Sequence, residues 1–242
     1  MRKFYEKNEL WFAIAWIVLY CAVSIPIRGS LGDESPAMLA GLALIAAGLL
    51  AFLKTAHLEA EYGLVKWRGS ARNYLFFLPV LVLMTGNLWG GVGMAYGGMA
   101  QLFAVLSMFL VGIIEELIFR GLLFRALLRR DSPPVAITIS AVTFGIGHIV
   151  NLLAGQGGLE SLIQVIFAVA WGFLFTLVFY HSGSLLVCIF VHGMVDVFSK
   201  FAAEDRSGCA YTYVIVTILV SIAYCLYLSR KPAALAPEKA GK

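Results

Sequence analysis

Charged residues are scarce in this sequence: Asp, Glu, Lys and Arg make up only 13% of its 242 residues, whereas hydrophobic residues make up 61%. Soluble domains typically carry about 25% charged residues. The scarcity excludes an ordinary soluble protein, and the mean hydropathy of +0.88 indicates an integral membrane protein. The net charge of +4 is small and by itself says nothing about nucleic acid; no nucleic-acid partner is expected for this membrane protein.

Several common catalytic and structural signatures are also missing. The sequence contains no GxSxG elbow, no HExxH helix and no GxGD pair of intramembrane aspartates, which removes the usual indications of serine, zinc and aspartyl proteases. No two cysteines have CxxC spacing, so neither a disulfide framework nor a zinc knuckle is predicted. The four cysteines are Cys21, Cys188, Cys209 and Cys225.

Long apolar segments account for most of the chain. Because a transmembrane helix needs about 20 apolar residues, they predict an all-α polytopic membrane protein with about eight transmembrane helices. We treat residues 1–242 as a single integral membrane domain with a catalytic core at about 101–200. Pro26, Gly29 and Gly32 are expected to end the first helix. The predicted segments are 10–27, 36–53, 73–90, 101–128, 134–153, 159–180, 183–200 and 211–228.

The distribution of basic residues predicts the orientation. With a cytoplasmic N-terminus, eight crossings place fourteen of the eighteen Lys and Arg residues in cytoplasmic segments. Basic residues are enriched in cytoplasmic loops, so both termini are predicted to be cytoplasmic, in the cell (inner) membrane. The first apolar run has no small-residue cleavage site before Pro26 and is expected to be a retained helix rather than a signal peptide.

The fourth segment contains the most unusual stretch, Val111–Phe124, in which Glu115, Glu116 and Arg120 lie within an apolar run. A charge in the middle of a bilayer costs about 2.5–3.5 kcal/mol on insertion scales, so these residues need partners, water or a function. Glu116 and Arg120 are four residues apart and are predicted to form an ion pair. Glu115 is rotated by about 100° and is not expected to use the same partner as Glu116.

Two further segments carry ionisable residues at the same helical spacing. His148 follows Phe144 by four residues on the fifth segment, and Asp196 follows His192 by four on the seventh. Counted from the helix ends at 1.5 Å per residue, Glu115, His148 and His192 lie at about 20, 21 and 14 Å depth. The three side chains are therefore expected to meet in one layer. His57 and His181 fall in predicted loops and are expected at the surface.

A carboxylate and two imidazoles in a partly dry cavity suit the activation of water. Glutamate can act as a general base, histidine can hold the water or protonate a leaving amine, and donors can stabilise an oxyanion. Hydrolysis of an amide bond at the membrane is the predicted reaction.

The sequences Glu115–Arg120 (EELIFR), Phe144–His148 (FGIGH) and His192–Asp196 (HGMVD) resemble the motifs EExxxR, FxxxH and HxxxN/D. These motifs belong to the CPBP (Abi) family of type II CAAX prenyl endopeptidases and bacteriocin-processing proteins, which are glutamic-type intramembrane proteases. The resemblance covers about 80 residues.

The resemblance implies a role for each motif residue. Glu115 activates water together with His148, and His192 with Asp196 stabilises the oxyanion. Glu116 and Arg120 form a supporting structural pair. No cofactor is required in this scheme, and the substrate is a membrane-associated peptide or protein within the lipid bilayer.

Asp196 departs from the family pattern, because the best-studied branch has Asn there. An ionised aspartate only accepts hydrogen bonds, so Asp196 stabilises an oxyanion only when protonated. Otherwise it orients His192 or binds a metal, and two histidines with carboxylates suit Zn²⁺. A zinc-dependent protease is therefore an alternative.

Two other classes also fit the composition. A non-catalytic immunity or partner-binding protein would keep this scaffold and tolerate loss of Glu115. A proton-coupled transporter would use acids and histidines as a relay, but the sequence shows no internal repeat of the kind found in transporters.

Overall fold

The computed structural model describes residues 1–66, 77–152, 155–204 and 207–235. This part of the chain is helical and contains no β-strand, only an isolated bridge between Val92 and Ala202. The α-helices are α1 (Arg2–Lys7), α2 (Glu9–Leu31), α3 (Pro36–Ala56), α4 (Leu78–Met84), α5 (Gly98–Glu115), α6 (Arg125–Leu128), α7 (Pro133–Gly147), α8 (Gly158–Ser182), α9 (Leu186–Ser199) and α10 (Ser207–Leu228). Short 3₁₀ segments, Gly86–Leu88 and His148–Leu152, follow α4 and α7, and a π-helix, Glu116–Phe124, joins α5 to α6.

The predicted all-α membrane fold is confirmed. In the described part of the chain, six helices are long and apolar enough to cross a membrane: Glu9–Leu31, Pro36–Ala56, Gly98–Leu128, Pro133–Leu152, Gly158–Ser182 and Gly208–Leu228. The third and seventh predicted segments correspond to the shorter apolar helices Leu78–Leu88 and Leu186–Ser199. At 1.5 Å per residue these two are about 17 and 21 Å long, less than the roughly 30 Å of a hydrocarbon core. Residues 73–76 of the third prediction and 153 of the fifth lie outside the described ranges.

The first predicted segment, 10–27, ends too early, although Gly32 is among the residues expected to end the helix. Helix α2 continues through Pro26 to Leu31 and ends only at Gly32, whose φ is +81°. Proline is tolerated inside transmembrane helices because neighbouring groups compensate for the lost backbone hydrogen bond. The extra turn brings Arg28 onto the helix, where its side chain reaches the loop that follows.

The contacts between loops lie at the two ends of the molecule. At one end Arg129 pairs with Glu9 and Glu61, and the backbone of Leu235 donates to Tyr180. At the other end lie Arg28, Asn151, Asp33 and Lys200, which contact one another. The first end contains the segments that the basic residues assign to the cytoplasm, and that assignment stays a prediction. Arg68, Arg72, Arg206, Lys239 and Lys242 lie outside the described residues.

The surface position expected for His181 is wrong. Its side chain is buried, and Nδ1 lies 3.0 Å from the carbonyl oxygen of Pro232. The segment after α10 therefore folds back over the end of α8 and covers this histidine. His57 ends α3 in the left-handed conformation, with φ of 58°.

The most buried of the six long helices is Gly98–Leu128, which packs against α2, α3 and α9. Its approach to α9 depends on Gly112. A Cβ built on this residue lies 2.5 Å from the backbone nitrogen of Gly193 and 2.6 Å from its Cα. Backbone atoms cannot move aside as a flexible side chain can, so only glycine fits here. The close approach brings His192 next to the two glutamates.

We expect Gly112→Ala to lower the free energy of unfolding by about 1–3 kcal/mol, the usual effect of overpacking a core. Because the added methyl pushes α9 away from α5, cleavage activity is expected to fall as well. Denaturation in mixed micelles, followed by circular dichroism, measures the stability. Gly158→Ala is the matched control, since a Cβ at that position meets no atom within 4 Å. Equal stability of the two variants would contradict the packing argument.

Candidate active site

The helix that carries the glutamates changes its winding between them. Glu115 is the last residue of α5, and Glu116 begins the π-helix. A π-helix is wider than an α-helix and occurs frequently at functional sites. Both carboxylates are buried, with Glu115 8% and Glu116 0% exposed. They nevertheless contact the same histidine.

Glu115 lies between α2 and α9. Its Oε1 accepts a 2.8 Å hydrogen bond from the hydroxyl of Tyr20. Its Oε2 lies 3.6 Å from Nε2 of His192 and has no hydrogen-bond partner within the described part of the chain. One oxygen of the carboxylate is therefore held, and the other is available for chemistry.

Carboxylates flank both ring nitrogens of His192, and the one at Nδ1 is within hydrogen-bond distance. Nδ1 is 2.8 Å from Oε1 of Glu116, while Nε2 is 3.6 Å from both Glu115 and Asp196. As expected from their rotation on the helix, Glu115 does not share the partner Arg120 with Glu116. The two glutamates nevertheless reach opposite edges of one imidazole. The ring also stacks on Phe175 at 5.4 Å and meets the edge of Phe144 at 5.6 Å.

The predicted ion pair between Glu116 and Arg120 is present. Nη1 of Arg120 donates to Oε1 of Glu116 over 2.9 Å, and both side chains are completely buried. The guanidinium carbon lies 4.0 Å from the centre of the Phe144 ring, which is a cation–π distance. Glu116 therefore accepts from both Arg120 and His192, so the pair supports the orientation of the imidazole.

His148 begins the 3₁₀ segment that follows α7. Helix α7 packs against the π-helix. Its Nδ1 is 3.0 Å from the carbonyl oxygen of Phe144, so the Nδ1–H donates there and Nε2 carries the free lone pair in the neutral ring. The ring also packs edge-to-face against Phe144 at 5.0 Å. The FxxxH spacing thus fixes both the tautomer and the orientation of the imidazole.

A cavity of about 1250 Å³ opens beside these residues, and Glu115, His148 and Asp196 all line it. His192 contacts two of these lining residues. Much of the wall is apolar, including Ile17, Ile25, Ile146, Ile163 and Phe167. The space is therefore large enough for several residues of a peptide and suits hydrophobic side chains.

Charged residues line the same cavity at the end away from α1. Asp33 accepts hydrogen bonds from Nε of Arg28, at 2.7 Å, and from Nζ of Lys200, at 2.8 Å. Burial by itself raises the pKa of the Asp33 carboxyl, but the two cations together hold that pKa below its usual value. Two cations share one carboxylate, so this group of three carries a net positive charge.

The structure brings the predicted site residues of all three motifs together, and it adds residues that the sequence analysis missed. Phe175 of α8 stacks on His192, and Tyr20 of α2 binds Glu115. A signal for Tyr20 existed in the sequence: Tyr20, Ser24 and Arg28 have helical spacing and line the cavity. Phe175 has no such signal, because phenylalanine is common in apolar helices.

No group of three or more His, Cys, Asp or Glu side chains in the described ranges has the arrangement of a metal site. His192 uses Nδ1 for Glu116, and only Nε2 faces Glu115 and Asp196. The zinc-dependent alternative stays a prediction, and measuring the zinc content of the purified protein tests it.

Comparison with known proteins shows a similarity to one family. No curated protein matches this chain. Residues 98–198 match the family model described as type II CAAX prenyl endopeptidase Rce1-like. This segment runs from the first residue of α5 to the last turn of α9 and contains all seven motif residues. The resemblance seen in the three motifs is confirmed: residues 98–198 of this chain are similar to the Rce1-like type II CAAX prenyl endopeptidases, a family of membrane proteases.

Proposed function

We propose that this protein is an intramembrane endopeptidase that hydrolyses a peptide bond in a membrane-associated protein or peptide. One observation carries the proposal. The buried carboxylate of Glu115 lies 3.6 Å from the imidazole of His192, at the wall of a cavity that His148 also lines. Burying this combination in a membrane protein is costly unless it has a function.

In the proposed mechanism Glu115 is the general base. Its Oε2 takes a proton from a water molecule, and the oxygen of that water attacks the carbonyl carbon of the substrate. The lone pair on Nε2 of His148 holds the same water by accepting its second hydrogen. When the tetrahedral intermediate collapses, the leaving amine receives the proton from Glu115, and the carboxylate is restored.

His192 stabilises the oxyanion in this mechanism. When it is protonated, Nδ1–H donates to Glu116 and Nε2–H points toward the cavity side, where Glu115 and Asp196 lie. Glu116 then orients the imidazole as the aspartate of a serine-protease triad does. Asp196 adds a donor only in its protonated form, and in its ionised form it supports the charged imidazole instead.

The cavity favours a substrate with a hydrophobic segment that ends in a carboxylate. Isoleucine and phenylalanine side chains supply the apolar wall. At one end Arg28 and Lys200 share the carboxylate of Asp33, so this group of three carries a local positive charge, whereas the other charged lining residues are the acids Glu115, Glu160 and Asp196. The matching family model is named for CAAX sequences, which are C-terminal and carry a prenyl group on cysteine. We therefore propose a CAAX-type peptide as the first substrate to test.

The assay uses purified protein in proteoliposomes and a fluorogenic CAAX peptide, with and without a farnesyl group on its cysteine. We expect His148→Asn to lower kcat by about a hundredfold or more, the usual contribution of a residue that handles protons. The asparagine amide can keep the hydrogen bond to Phe144 but has no counterpart of Nε2. His57→Asn, at the other end of the molecule, is the control and is expected to match wild type. Equal activity of the two variants would contradict the role of His148.

The zinc-dependent variant of this proposal is tested in parallel. Elemental analysis of the purified protein measures bound zinc, and the peptide assay is repeated after treatment with a chelator. Stoichiometric zinc, together with activity that is lost on chelation and restored by Zn²⁺, would replace the glutamate mechanism. Unchanged activity after chelation would support it.

A further inference from the structure

Helix α2 reaches the active site through Tyr20, although this helix lies outside the family segment, residues 98–198, and outside the three motifs. The side chain of Tyr20 is 6% exposed and lines the cavity. Its hydroxyl donates to Oε1 of Glu115 over 2.8 Å. A phenol that donates to a buried carboxylate makes a strong, charge-assisted hydrogen bond.

We propose that Tyr20 is a positioning residue that divides the two oxygens of Glu115 between separate tasks. This inference rests on the proposed function of Glu115 as a general base. Tyr20 holds Oε1, so the carboxylate does not rotate about its last bond. Oε2 is then directed toward the side on which His192 lies, and it keeps its lone pairs for water.

The helix that carries Tyr20 is packed on both sides. Helix α2 contacts both α3 and the π-helix, and the Tyr20 side chain is a buried member of the hydrophobic core. A positioning residue requires such a packed setting.

Removing the hydroxyl has two expected consequences for activity. First, Tyr20→Phe lowers kcat by about ten- to a hundredfold with little change in KM, corresponding to one hydrogen bond to a charged group. Second, the acid limb of the pH–kcat profile moves to higher pH by about one unit. The hydrogen bond from Tyr20 stabilises the ionised carboxylate, and the variant lacks this bond. A merely structural role would not move the acid limb.

The matched control is Tyr5→Phe. Tyr5 is also a buried tyrosine with a hydroxyl partner, the hydroxyl of Tyr62 at 2.7 Å, but it lies at the other end of the molecule. We expect its kcat and pH profile to equal those of wild type. Thermal unfolding of both variants in detergent shows whether either loss of activity comes from lost structure.

A second variant keeps the test decisive if Tyr20→Phe does not fold. Replacement of Tyr20 by 3-fluorotyrosine keeps the shape and gives a stronger donor, so the acid limb is expected to move to lower pH while kcat is retained. An unmoved acid limb in a folded variant, or an effect confined to KM, overturns the positioning role. Activity that survives in Glu115→Ala overturns the proposed function itself, whatever the tyrosine variants do.

Discussion

Glu115→Gln is expected to lower kcat for the CAAX peptide by about a hundredfold to ten-thousandfold, the range for a general base. Glutamine has the shape of glutamate, and its carbonyl oxygen still accepts the hydrogen bond from Tyr20. In place of Oε2, however, stands an amide nitrogen, which donates and has no lone pair for a proton of water. The variant therefore keeps the site intact and loses only the base.

Three measurements separate loss of the base from loss of binding or of structure. The rate is measured at saturating peptide, so that the effect appears in kcat, and binding of the uncleaved peptide is measured separately. Glu6→Gln, an exposed glutamate in α1, is the control for the substitution and is expected to match wild type. Undiminished cleavage by Glu115→Gln would contradict the mechanism. Full biological activity without any cleavage would instead favour an immunity or partner-binding protein.

The sequence predicted the parts of this site that depend on local spacing. Residues four apart on an α-helix share a face, and this rule correctly paired Glu116 with Arg120 and placed Asp196 beside His192. Counting depth along each helix also brought Glu115 and His192 to one layer, where they meet. These predictions worked because they need only the rise and the period of a helix.

Other features depend on information that the spacing does not contain. An apolar run is equally compatible with an α-helix and a π-helix, so the change of winding after Glu115 was not predicted. Pro26 was expected to end a helix, but neighbouring elements let α2 continue through it. Likewise, nothing in the pattern of a single helix shows that His192 lies between two glutamates. That arrangement is decided by how closely Gly112 lets α9 approach.

The buried ion pair gives the prediction with the largest effect on stability. Arg120→Met is expected to lower the free energy of unfolding by about 3–5 kcal/mol, because the charge of Glu116 remains buried without its cation. The substitution also removes the cation–π contact between the Arg120 guanidinium and the ring of Phe144. Since Glu116 holds Nδ1 of His192, cleavage activity is expected to fall together with stability.

The chain supplies a matched control for this substitution. Arg2 and Glu6 form an ion pair at the same spacing and over a similar distance, 2.8 Å against 2.9 Å, but their side chains are 68% and 55% exposed. Arg2→Met is therefore expected to change the stability by less than about 0.5 kcal/mol. Unfolding in mixed micelles measures both variants, and equal effects would contradict the assignment of the buried pair.

The double variant Glu116→Gln/Arg120→Met separates stability from function. Removing both charges removes the penalty of an unpaired carboxylate, and buried ion pairs are often replaced by neutral side chains without loss of stability. We therefore expect the double variant to recover much of the stability that Arg120→Met loses. Its activity is expected to stay low, because glutamine in place of Glu116 no longer supports a protonated His192. Recovery of both properties would mean that Glu116 serves only the fold and that another group orients His192.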